Sequence, residues 1–164
     1  MSDMSVLERV DSREKLVLAI TYKGFRQPPA LTDIPVILES LRCLIEVGPV
    51  VFAVHQDRPV LRDRSAEYPS ISRLSYNSPL MMGLQWVASA GGVFTAARGL
   101  IYLWSEWEDV SLKHAENRTY KAALRAIDAN IGRHSLPGAI REGAADALVS
   151  LHAVEEEDHE TIGG

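Results

Sequence analysis

Five histidines, one cysteine and scattered acids are the residues of this chain with the means to do chemistry, and their spacing argues against most of it. His55, His114, His134, His152 and His159 stand apart, none at metal-ligand spacing from another His, Cys or acid. They read as ordinary surface histidines, and no metal is expected. Cys43 lies within a helical pattern with no base beside it to hold a thiolate, so it reads as a small buried apolar group. As a lone cysteine it excludes a disulfide within the chain. Ser75 and Ser78 flank a turn, where a hydroxyl is far more often a helix cap than a nucleophile. Gly91-Gly92 is not followed by Lys-Ser or Lys-Thr, and no G-x-S-x-G elbow occurs. Asn117-Arg118-Thr119 matches a glycosylation acceptor but falls in a helical pattern and reads as chance. Arg58, Arg62 and Arg64 alternate with Asp57 and Asp63, which suits an anionic ligand or, more commonly, surface pairs that neutralise one another. Trp86, Trp104 and Trp107 are core or interface anchors before they are a ligand cage. No catalytic, cofactor-binding or metal residue is assigned, and an enzyme would need a site assembled from residues distant in sequence.

The elements that would have to position such groups come next. The chain has 164 residues, the size of one domain, with 46% hydrophobic content. Its net charge is -5, and the stretch Glu155-Glu156-Glu157-Asp158-His159-Glu160 supplies five of the acids, leaving a body near neutrality. Without a basic surplus, nucleic acid is not an expected partner. The opening MSDMSVLERVDSREK is polar and has no apolar core of a secretory signal, so a cytoplasmic location is expected.

Residues 15–23, KLVLAITYK, alternate like a strand rich in β-branched and aromatic side chains. A helix follows from Thr32-Asp33, with Ile34, Ile37, Leu38, Leu41, Leu44 and Ile45 on one face. Gly48-Pro49 should stop or sharply kink it. VVFAV, next, fits either a short strand or more helix. A second strand is expected at Ser70 to Tyr76. A polar helix from Ser105-Glu106 carries Tyr120, Leu124, Ile127 and Ile131 as a narrow stripe, with Gly132 as its stop. Ser135-Leu136-Pro137 opens a last helix with Ile140, Ala144, Leu148 and Leu151 on one face. The expected organisation is α+β: a flexible 1–14, an α+β head at 15–78, a helical region at 79–153 and a disordered acidic tail at 154–164.

The most informative run is Pro79 to Trp104. Asn77-Ser78-Pro79 is a helix start, and the 26 residues after it carry no charge except Arg98. As one helix they would span about 39 Å, longer than the roughly 30 Å of a bilayer core. Ala88, Gly91, Gly92, Thr95, Ala96 and Gly99 then form two adjoining rows of small residues, a flat face open to close approach by another backbone. That face can pack on the chain's own first helix or sheet, or it can join copies of the chain. Gln85, Ser89, Thr95 and four glycines dilute the run as a membrane span.

At LSYNSPL, residues 74–80, the chain resembles small uncharacterised bacterial proteins, many actinobacterial, in which an S-Y-x-S-P-L-like turn leads from a strand–helix–strand unit into an apolar helix. The likeness covers roughly residues 15–125. It implies an accessory component, in some cases encoded beside conflict or signalling effectors, and supplies no catalytic residues.

Together these readings point to a non-catalytic interaction or assembly subunit that self-associates through the small-residue face, with a homo-oligomer or partner protein expected. A single-span membrane-anchored accessory protein is the alternative, and an enzyme with a site outside known motifs is the third.

Overall fold

The computed structural model describes residues 13–22, 30–56, 68–75, 80–89, 94–113 and 118–162. Four strands are formed: β1 (Arg13–Tyr22), β2 (Ser70–Ser75), β3 (Leu80–Ser89) and β4 (Leu151–Ile162). They pair antiparallel in the order β2-β3-β1-β4. The helices are α1 (Ile34–Gln56), α2 (Thr95–Lys113), α3 (Tyr120–Ile131) and α4 (Gly138–Ser150), with a short 3-10 turn at Leu31–Asp33 ahead of α1. The connectivity is that of a split β-α-β-β-α-β unit in which three helices stand where the second usually does.

The α+β class is as expected; the long apolar helix is not there. Residues 80–89 are a central strand, and a helix begins only at Thr95. Leu80, Met82, Leu84 and Trp86 are buried, whereas Met81 and Val87 are exposed and Gln85 is half-buried. That is period two, hidden within a run apolar on both faces. Gly91 and Gly92 lie outside the described residues, as do Ser78 and Pro79 of the turn carrying the resemblance. Among the described residues, no helix is long and apolar enough to cross a membrane.

α1 also departs from expectation, because it runs through Gly48-Pro49 to Gln56. An interior proline costs about 3 kcal/mol. Val50, Val51, Phe52 and Ala53 beyond it are all buried, and each large side chain gains about 1.5–3 kcal/mol by burial, so packing wins. Around this stretch α1 is enclosed because it packs on both α2 and α4. Asp33 caps the entrance backwards, its carboxylate accepting the Ala30 N–H at 2.9 Å.

The polar helix expected from Ser105 onward is two helices. Thr119 caps α3, its hydroxyl accepting the Ala122 N–H at 3.3 Å. The α3 core stripe is Ala122, Ala123, Ala126, Ile127, Asn130 and Ile131, so Tyr120 lies outside it and is exposed. Gly132 ends α3 at φ 60°, a backbone region that glycine occupies without strain. The last helix forms as expected after Pro137, with Ala144 and Leu148 buried.

One continuous core runs from Leu16, Leu18 and Ile20 of β1 through β3 to all four helices. The sheet draws strands from both sides of residue 78. Residues 151–162, which take in most of the stretch expected as a tail at 154–164, form β4, which closes the second edge of β1, with Ala153 opposite Ile20 and Glu160 opposite Lys15. The backbone hydrogen bonds of that ladder outweigh what an acidic composition suggests.

Candidate interaction surface

The six residues expected to form an external face do not share one helix. Ala88 is in β3, opposite Glu14 of β1. Thr95, Ala96 and Gly99 lie in the first turns of α2, where Ala96 is fully buried. A methyl group added at Gly99 would land on the Gly48 carbonyl of α1, and one added at Gly48 would land on the Ala96 carbonyl. The small residues do permit close backbone approach. What approaches is this chain's own α1, so Ala96 and Gly99 are not available to a second molecule. On the far side of α1, a methyl at Gly143 of α4 would come within 2.5 Å of Cys43 Sγ. Burial pushes the Cys43 thiol upward in pKa, as fits a packed apolar group.

Among the described residues, one exposed apolar surface lies at the β2 margin. β2 is an edge strand, with Ile71 47% and Leu74 39% exposed. In a regular strand these two side chains, three residues apart, would point to opposite faces. A bulge at Ser72 changes that: Ile71 pairs with Leu84 and Leu74 with Met82, and both partners belong to the core face of β3. Ile71 and Leu74 therefore emerge together on the helix side of the edge. The bulge itself relies on Gly83, where a Cβ would lie 2.8 Å from Ser72 Oγ; that hydroxyl donates to the Gly83 carbonyl at 3.3 Å.

Tyr68, two residues before β2 and 47% exposed, ties this margin to α1. Its hydroxyl donates to Glu46 Oε1 at 2.6 Å. Arg42 reaches the same oxygen at 2.5 Å and grips Glu39 with two hydrogen bonds of 2.6 and 3.1 Å. The hydrogen bond to Glu46 raises the Tyr68 phenol above its usual range, and that from Arg42 lowers the Glu39 carboxyl. Charge on this flank is thus spent within the chain. Leu38, exposed one turn before Arg42 on the same helix stripe, adds another apolar group.

Two concavities carry polar groups. One, of about 230 Å³, sits on the outer face of the sheet where Gly83 leaves a dip among Lys15, Val17, Arg73 and Gln85. The other, an open cleft of about 450 Å³ at the end of α1, holds His55, Tyr102 and the acids Glu106, Glu108 and Asp109. His55 stacks on Tyr102 with ring centroids 4.8 Å apart, and Gln56 donates to the Tyr102 hydroxyl at 3.3 Å. Buried Asn130 donates its amide to the Ala126 carbonyl at 2.7 Å, which aims Oδ1 at His55 Nε2, 3.1 Å away. An oxygen can only accept there, so Nε2 carries the proton and the basic nitrogen of the neutral ring is Nδ1. This fixes the ring in an open cleft that Ser105 also lines. Among the described residues, no group of three His, Cys, Asp or Glu is placed to hold a metal ion.

Trp86 and Trp107 are core residues, as anchors should be. The sequence reading missed the β2 margin, although the two apolar residues of Ser-Ile-Ser-Arg-Leu-Ser were there to be seen; the bulge that makes them neighbours was not. No protein-family model, curated protein or solved structure matches the chain.

Proposed function

We propose that this chain is a non-catalytic assembly protein that associates with further copies of itself through the β2 margin of its sheet. The observation that carries this reading is the exposure of Ile71 and Leu74, brought side by side on a sheet edge by the Ser72 bulge. Unpaired N–H and C=O groups along an edge invite another strand, and proteins guard such edges with charge, short strands or bulges. The two edges of this sheet differ in that respect. β4 carries Glu155, Glu156, Glu157, Asp158 and Glu160, a composition that discourages further pairing. β2 carries Arg73 as its one charge. The small-residue face of the sequence reading drops out as the contact, and self-association stays.

The test is the mass of the purified chain by multi-angle light scattering or sedimentation, from about 5 to 300 µM, the range of a small interface. A mass that climbs above one chain with concentration supports the reading. A single-chain mass throughout rejects it.

A further inference from the structure

We infer that the association is a closed two-fold dimer in which β2 pairs antiparallel with β2 of a second copy, about an axis between Ser72 and Arg73. This rests on the self-association proposed above and adds the interface and its register. The strand reads Ser70-Ile71-Ser72-Arg73-Leu74-Ser75, which is nearly the same in either direction. Antiparallel pairing about that axis sets Ser70 against Ser75, Ile71 against Leu74 and Ser72 against Arg73, each twice. An isologous contact requires such self-complementarity. Because the bulge puts Ile71 and Leu74 on the same side, the two Ile–Leu pairs form one apolar cluster on the helix side of the joint. Each Arg73 faces a Ser72, which places the two guanidinium groups diagonally on the outer face of the joint, away from the Ile–Leu cluster. Tyr68, three residues before Ile71 in each copy, is also substantially exposed in the single chain. The joint would make one continuous sheet from two, with a β4 at either end, and it would use up the exposed β2 edge of both copies. Assembly therefore stops at two.

Complementary charges test the register. Ile71→Glu and Leu74→Lys should each weaken the dimer at least about tenfold, since a charge then faces an apolar residue in both pairs across the joint. Mixed in equal amounts, the two variants set the glutamate of one against the lysine of the other and leave a wild-type Ile–Leu pair at the second position. A heterodimer should return to within about threefold of wild-type affinity. Both positions are well exposed in the single chain, so each variant should melt like the wild type. In parallel, hydrogen exchange on the unaltered protein should show amides of residues 70–75 becoming protected as concentration rises. A wild-type dimer with no rescue in the mixture, or with no concentration-dependent protection at residues 70–75, overturns this interface while leaving self-association standing. A wild-type chain that stays single overturns both.

Discussion

Gly99 must be small because the α1 backbone lies against it. A methyl there strikes the Gly48 carbonyl, in a stretch of α1 buried from Val47 to Ala53 that has little room to retreat. Gly99→Ala should therefore destabilise the monomer by about 3 kcal/mol, the upper range for overpacking, read as a lower denaturant midpoint. Were Gly99 an external contact, the same change would split the assembly and leave the midpoint where it was. The need for a small residue at 99 could be read from sequence, since close helix approach follows from small side chains at helical spacing. Which helix approaches could not, because Gly48 lies fifty-one residues earlier and its carbonyl meets Gly99 only after α1 has continued past Pro49.

At the level of elements, β3 shows where a pattern fails and why. LMMGLQWVAS has apolar residues on both faces, so period two and period 3.6 fit it about equally well. Residues 79–89 joined to the genuine helix after Thr95 then read as one rod. Alanine substitution separates the two forms. Met82→Ala should cost about 3 kcal/mol and its neighbour Met81→Ala less than about 1 kcal/mol, because only the former is in the core. Equal costs in chemical unfolding would argue against the strand. The strand at β1, the start of α1, the stop at Gly132 and the opening of α4 were all legible, each marked by a local cue: alternation, capping chemistry, a glycine, a proline. β4 was not, because an acidic segment gives no local sign that a strand 130 residues away has an edge to fill. The β2 margin was half legible: its composition is in the sequence, but the bulge depends on Gly83 of the neighbouring strand.

For the molecule as a whole, the proposed association turns on the contrast between the two sheet edges. A joint built on Ile71 and Leu74, with charges such as Arg42 already engaged inside the chain, should respond little to ionic strength. The dimer affinity should change less than about threefold between 0.05 and 1 M sodium chloride. A steep loss with salt, seen in the same scattering measurement, would place the contact on charged surface and away from β2. The position of β1 bears on how the molecule is made. It is an inner strand, held on one side by β3 and on the other by residues 151–162. A ribosome releases residues 13–22 long before it has synthesised their second neighbour. The nascent chain thus passes through a stage in which an inner strand has one flank uncovered, and the speed of translation through α2, α3 and α4 sets how long that stage lasts.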